Sequence, residues 1–82
     1  MNAYKVNGDK LGSHSQYYQK NLYMVVLNPE LNYPKYILFD TKFQLLEKTI
    51  IDSKSIAYSL NSGLLEKITD PSLTARLLLL IW

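Results

Sequence analysis

The sequence contains no cysteine and a single histidine, His14, among its 82 residues. Without cysteine, neither a disulfide framework nor a thiolate metal site can form, and zinc needs several clustered ligands. The seven acidic residues are dispersed along the chain. Four of them lie at expected turns or helix starts, where short acidic side chains commonly bond the backbone: Asp9, Asp40, Asp52 and Asp70. We therefore predict no metal site and no cofactor.

Other scarce features exclude further classes of protein. No apolar stretch approaches the ~20 residues that span a bilayer, and Met1–Lys10 lacks the apolar region of a signal peptide. The three glycines form no phosphate-binding loop. Arg76 is the only arginine beside eight lysines, whereas a duplex-DNA face carries a dense basic patch. We expect a cytoplasmic protein that does not enter membranes and is not an enzyme.

Apolar and aromatic side chains are abundant. Hydrophobic residues make up 48% of the chain, with fifteen leucines, six isoleucines and seven tyrosines, and the net charge is only +2. This composition is too apolar for a disordered chain and supplies the core of one small domain. We therefore predict a single domain over residues 1–82. The excess of lysine over arginine, with many Asn, Tyr, Ile and Leu residues, is typical of AT-rich coding sequence, as in phages and mobile elements.

The first half of the chain carries strand patterns. Residues 1–16 are predicted to form a hairpin or an extended arm, because Asn7-Gly8 favours a two-residue turn between Ala3–Val6 and Asp9–Leu11. Residues 17–51 are predicted to form antiparallel strands. Tyr17–Leu27 alternates apolar side chains on two faces, and residues 23–27 are apolar on both, which favours a central strand.

A second strand is predicted at Lys35–Phe39, after a loop that begins at Asn28-Pro29 and ends at Pro34. Asp40-Thr41-Lys42 reads as the turn that follows. The segment Phe43–Ile51 fits two patterns. A helical period aligns Phe43, Leu46 and Ile50, whereas a period of two places Phe43, Leu45 and Ile51 on one face. The short turn and the β-branched end favour a strand antiparallel to the previous one.

Residues 52–82 are predicted to be helical. Asp52 or Ser53 can cap a first helix, whose apolar stripe repeats every four residues: Ile56, Leu60, Leu64 and Ile68. Asn61-Ser62-Gly63 interrupts this stripe, so a helix that ends near Asn61 fits equally well. Asp70 as cap and Pro71 at the first helical position then predict a second helix.

The second helix is apolar around most of its circumference. Leu73, Leu77, Leu80 and Ile81 form one stripe, and Leu78, Leu79 and Trp82 widen it. Helices of this kind are normally buried on several sides. The predicted fold class is α+β: a small antiparallel sheet of three to four strands packed against two C-terminal helices, both on one face. The surplus apolar surface is covered either within the chain or by another molecule.

Exposed tyrosines are the predicted contact residues. Tyr33 and Tyr36 flank Pro34 in the loop between strands, with Leu31 nearby. Tyrosine brings a large contact area at low entropic cost and is enriched at binding hot spots. The main hypothesis is a small protein-binding factor, such as a phage accessory protein that occludes a host defence or regulatory protein. Its predicted partner-binding residues are Tyr17, Tyr18, Tyr33, Tyr36 and Trp82.

Two alternatives remain open from the sequence. A nucleic-acid or nucleotide-binding protein would use the cations and aromatic rings of the N-terminal third, since bases stack on rings while cations follow phosphates. The residues concerned are Lys10, His14, Lys20 and Tyr23. A self-associating structural subunit would instead form a homo-oligomer through the C-terminal helix.

Overall fold

The computed structural model describes residues 1–7 and 21–81. In chain order the elements are β1 (Asn2–Val6), β2 (Leu22–Leu27), β3 (Lys35–Asp40), β4 (Leu45–Ile50), α1 (Ser53–Asn61), β5 (Leu65–Lys67) and α2 (Pro71–Leu79). The predicted α+β class is confirmed, with two helices in the C-terminal half and five strands rather than three or four. Two sequence predictions, the hairpin arm Asp9–Leu11 and the strand residues 17–20, lie outside the described residues.

The five strands form one antiparallel sheet in the order β4-β3-β2-β1-β5. Strands β1 to β4 follow one another as a meander, and β5 returns to pair with β1. Strand β1 therefore has a neighbour on each side. Strand β2 is the central strand, as its two apolar faces predicted, and Met24, Val25 and Val26 have no exposed surface.

Each face of the sheet is covered by a different helix. We call the side that α1 covers the α1 face; its buried residues are Ile56 of α1 with Tyr4, Val6, Leu22, Met24, Val26, Tyr36, Leu38 and Leu65. The opposite side is the α2 face, where Leu77 of α2 packs on Ala3, Val25, Ile37 and Phe39. The expectation that both helices share one face is wrong, because strand side chains alternate and both sets of the central strand are apolar.

Helix α1 ends at the Asn61-Ser62-Gly63 interruption. Asp52 caps its start by accepting a hydrogen bond from the backbone N–H of Lys54 (3.0 Å). Gly63 adopts a φ of +79°, a conformation that side-chain-bearing residues rarely take. The shorter of the two predicted helices is therefore confirmed. The four-residue stripe does not continue, since Leu64 precedes strand β5 and Ile68 packs on the α2 face.

The β3–β4 turn is shaped by two hydrogen bonds to one side chain and by a strained residue. Oδ1 of Asp40 accepts from the backbone N–H groups of Lys42 and Gln44, both at 2.9 Å. Phe43 adopts a φ of +64° within this turn. Residues 43–51 form a strand antiparallel to β3 over Leu45–Ile50, which confirms that interpretation.

A β-bulge in β4 changes the predicted faces of that strand. Leu38 pairs with Glu47 and Phe39 with Leu45, so Leu46 is the extra residue. Leu46 and Ile51 pack on the α1 face, whereas Phe43 packs on the α2 face. The prediction that Phe43, Leu45 and Ile51 share a face is therefore wrong, because the extra residue reverses the alternation within the strand.

Helix α2 begins as predicted. Asp70 accepts a hydrogen bond from the backbone N–H of Ser72 (3.0 Å), and Pro71 occupies the first turn. Leu77 is fully buried, but Leu79 and Leu80 remain 74% and 45% exposed. The described part of the chain thus leaves some of the apolar surface of α2 uncovered. Neither described helix has the length and apolar character needed to cross a bilayer.

Candidate partner-binding surface

The β2–β3 loop, residues 28–34, is held in place at both ends. Asn28 adopts a left-handed φ of +48°, which asparagine tolerates, and its carbonyl accepts from the backbone N–H of Leu31 (3.1 Å). Pro34 is buried. The carbonyl of Pro34 accepts from the N–H of Ile51, and that of Asn32 accepts from the N–H of Ser53. The loop is therefore fixed to the segment that leads into α1.

Tyr33 projects from this fixed loop with 67% of its surface exposed, and Leu31 is 51% exposed. Tyr33 also borders an open depression of about 360 Å³ at the start of α1, lined by Asn32, Tyr33, Asp52, Ser53 and Lys54. An exposed aromatic side chain on a braced backbone loses little conformational entropy when it is buried by a partner. The structure thus shows that the Tyr33 side chain is accessible, while its role in binding stays a prediction.

Ile50 lies at the same end of the sheet as Tyr33. It is 58% exposed and pairs with Lys35, the first residue after the β2–β3 loop. Leu31, Tyr33 and Ile50 are thus three large exposed side chains at the junction of the β2–β3 loop with the β3–β4 pair. We call this group the junction surface. Scattered exposed apolar residues are normal in soluble proteins, but here Tyr33 also lines the depression at the start of α1.

Tyr36 does not contribute to the junction surface. It lies within β3, is only 9% exposed and belongs to the α1-face core. Its hydroxyl donates a hydrogen bond to Oε1 of Glu47 on β4 (3.3 Å). Burial, followed by the negative charge of Glu47 and this hydrogen bond, raises the pKa of Tyr36 to about 12. The structure therefore corrects its assignment as an exposed contact residue, since the alternation of β3 directs its side chain inward.

Tyr23 is engaged within the molecule. Its ring stacks on Phe43 with centroids 5.6 Å apart, and the guanidinium carbon of Arg76 lies 4.2 Å from the Phe43 centroid. This stack joins β2, the β3–β4 turn and α2. Because one ring face of Tyr23 contacts Phe43, that face is unavailable to a nucleic-acid base.

The other predicted contact residues lie outside the described residues. They are Tyr17, Tyr18 and Trp82 of the protein-binding hypothesis, and Lys10, His14 and Lys20 of the nucleic-acid alternative. Their roles stay predictions from the sequence. Of the predicted partner-binding residues that the structure describes, only Tyr33 is exposed.

Sequence reasoning missed Ile50 and Leu45 as surface residues. Each is 58% exposed although its strand is apolar at both ends. The charged pair Glu47-Lys48 in the middle of β4 was the available signal, because charged residues are characteristic of edge strands. An edge strand has one neighbour, so its apolar side chains are only partly covered.

Within residues 1–7 and 21–81, no group of three or more His, Cys, Asp or Glu side chains is placed to hold a metal ion. Comparisons with models of protein families, with curated proteins and with solved structures found no match to this chain.

Proposed function

We propose that this chain is a small protein-binding factor that acts without catalysis, and that Tyr33 on the junction surface is its principal contact residue. The observation that carries the proposal is the exposure of Tyr33 on a loop fixed by two backbone hydrogen bonds to residues 51 and 53. Binding by such a surface requires an aromatic anchor and shape complementarity.

The mechanism is occlusion of a functional surface on the partner. Leu31 and Ile50 would exclude water around Tyr33, and the polar side chains of the depression would form the rim of the contact. The protein would act in the cytoplasm. A phage or mobile-element source, with a host defence or regulatory protein as target, is supported only by the lysine-rich composition.

The experiment compares two tyrosines of nearly equal exposure. Tyr33 is 67% exposed, and Tyr58 on the outer side of α1 is 70% exposed. Immobilised parent protein, Tyr33→Ala and Tyr58→Ala are incubated with host extract, and each retained protein is quantified by mass spectrometry. We expect one protein whose retention falls by about thirtyfold with Tyr33→Ala, the effect of a hot-spot residue of about 2 kcal/mol.

Tyr58→Ala is the matched control, and the unfolding free energies of all three proteins should agree within ~0.5 kcal/mol because both tyrosines are exposed. If every retained protein binds Tyr33→Ala and the parent equally well, the proposal for Tyr33 is wrong.

A second candidate function, self-association through α2, is favoured by the exposure of Leu79 and Leu80. Ile81 packs on the α2 face, so its removal would also destabilise the monomer. Replacement of the exposed Leu79 and Leu80 by Asn is therefore a better test than deletion of Ile81. Sedimentation equilibrium should show a dimer for the parent and a folded monomer for Leu79→Asn/Leu80→Asn. A parent protein that is monomeric at all concentrations excludes this candidate.

A further inference from the structure

Among residues 1–7 and 21–81, β3 is the only strand that pairs with β4, so Lys48 and Ile50 on the outer strand of the sheet present backbone groups in a known direction. The N–H of Ile51 donates to the carbonyl of Pro34 across the β3–β4 pair. Hydrogen-bonded and non-hydrogen-bonded pairs alternate in an antiparallel ladder, and Tyr36 lies opposite Thr49 in this register. Thr49 therefore bonds towards β3, whereas Lys48 and Ile50 direct their N–H and C=O groups away from the sheet.

The side chains along this edge are also uncovered on one face. Leu45 lies opposite Phe39, Lys48 opposite Ile37, and Ile50 opposite Lys35, which places all three β4 side chains on the α2 face. The described residues of the hydrophobic cluster on that face come from other elements, and none belongs to β4. Helix α2 thus leaves the α2 face of β4 open.

Two positive charges border Ile50 on this open face. Lys48 precedes it by two residues, and Lys35 lies opposite it on β3; both are exposed. Glu47, the acidic residue of β4, lies on the α1 face, where it accepts the hydrogen bond of Tyr36. The open face of the edge therefore combines apolar side chains with positive charge and has no acidic residue from β4.

This charge arrangement disfavours a second copy of the chain as the occupant. Antiparallel pairing of two β4 edges keeps equivalent faces together, so two positively charged open faces would meet along the same side of the joined sheet. Like charges that lie close across strands are destabilising. The bulge at Leu46 further shortens the regular edge. An acidic side chain opposite Lys48 would instead be attracted.

We propose that the edge of β4 binds an extended acidic-apolar segment of the partner protein as a sixth, antiparallel strand. This inference rests on the proposed protein-binding function and names the kind of segment that is recognised. Main-chain hydrogen bonds to Lys48 and Ile50 supply attachment, and alternate side chains supply specificity. On the α2 face the segment places an acidic residue opposite Lys48 and a branched apolar residue opposite Ile50.

The test uses a defined peptide and NMR. The probe is an end-blocked peptide of sequence Thr-Val-Thr-Glu-Thr-Val-Thr, added to the isotope-labelled full chain up to millimolar concentration. The matched control peptide carries Lys in place of Glu. We expect saturable shifts of the backbone amides of Leu45, Lys48 and Ile50, with the control peptide binding roughly three- to tenfold more weakly at low salt.

Three variants separate strand addition from unspecific attraction. Ile50→Pro removes an N–H that points away from β3, so the sheet should persist while peptide binding is lost; Ile50→Val keeps that N–H and should keep binding. Lys48→Glu should reverse the preference in favour of the Lys peptide.

Three outcomes of the peptide titration overturn the inference: no shift at β4, shifts at another site only, or equal binding of both peptides by the parent and by Lys48→Glu. A parent dimer that Ile50→Pro dissociates would assign the edge to a second copy and would overturn it as well. Failure here is distinguishable from failure of the proposed function. Loss of partner retention with Tyr33→Ala would still support the latter when the peptide does not bind.

Discussion

The two faces of the sheet are covered to different extents. On the α1 face, eight buried strand residues pack with Ile56 of α1, and Leu46 and Ile51 extend this cover to β4. On the α2 face, Leu77 is the one buried helix residue among the described part of the cluster, and it packs on four buried strand residues. Half-buried side chains complete the cluster on the α2 face.

This difference separates the well-covered part of the sheet from the part for which we propose a role in recognition. The packing on the α1 face reaches the edge strand at Leu46, so this face serves chiefly as core. The α2 face ends before β4, which leaves Leu45 and Ile50 each 58% exposed. Both proposed contact surfaces, the junction surface and the β4 edge, include exposed residues that do not belong to the buried core of either face.

The largest expected effect tests whether Leu77 carries the attachment of α2. Leu77→Ala should lower the unfolding free energy by about 2–5 kcal/mol, because a fully buried leucine is replaced by a cavity. Leu79→Ala, on the same helix and 74% exposed, should change it by less than ~0.5 kcal/mol. Urea unfolding followed by circular dichroism measures both values. Equal losses would show that α2 packs in another orientation.

The next effect concerns Phe43, whose ring fills the α2 face from a strained backbone. Phe43→Ala and Phe43→Gly both remove the contacts with Tyr23 and Arg76, at a cost of about 1–2 kcal/mol. The φ of +64° is unfavourable for alanine but not for glycine. The glycine variant should therefore be the more stable of the two by about 1 kcal/mol. A more stable alanine variant would contradict this assignment of strain.

A smaller effect on the α1 face depends on pH. At neutral pH, Tyr36→Phe should cost about 1 kcal/mol through the lost hydrogen bond to Glu47. The folded pKa of about 12 exceeds the ordinary value of 10.0, so the fold favours the neutral phenol. The contribution of the neutral phenol to the free energy of unfolding is complete below pH 10 and is lost as the pH rises towards 12. Unfolding free energies across this range should fall more steeply for the parent than for Tyr36→Phe, since their lysines are identical.

The smallest effect concerns the cap of α2. Hydrogen bonds from the side chain and backbone of Ser72 lower the pKa of Asp70 below 3.8. A lowered pKa means that the carboxylate contributes to stability above its ordinary pKa and that this contribution fades as the pH falls through the folded value. Asp70→Asn keeps a capping oxygen without this titration. Acid unfolding of the variant should accordingly depend slightly less on pH than that of the parent, and identical curves would contradict the pKa shift.

Local patterns in the sequence predicted most of the elements. The two-sided apolar pattern of residues 23–27 identified the central strand, and Asp70-Pro71 identified the start of α2. The placement of the helices on opposite faces was missed. It depends on the pairing of β5 with β1, which is a contact between distant parts of the chain. A strand of only three residues, such as β5, is too short to have a recognisable pattern in the sequence.

The candidate site was harder to predict from the sequence than the fold was. Tyr33 and Tyr36 have similar local contexts around Pro34, yet one is 67% exposed and the other 9%. The start of β3 decides this difference, because Tyr36 is directed to the α1 face by strand alternation. The open face of β4 depends on a bulge and on the reach of α2, neither of which has a local sequence signature.

Photo-cross-linking tests the central claim, that the junction surface contacts a partner protein, most directly. A benzophenone amino acid is placed at position 33 in one preparation and at position 58 in another, and each is irradiated in host extract. We predict a covalent adduct of one defined mass from position 33, with none of that mass from position 58. Equal adducts from both positions, or none from position 33, would contradict the account.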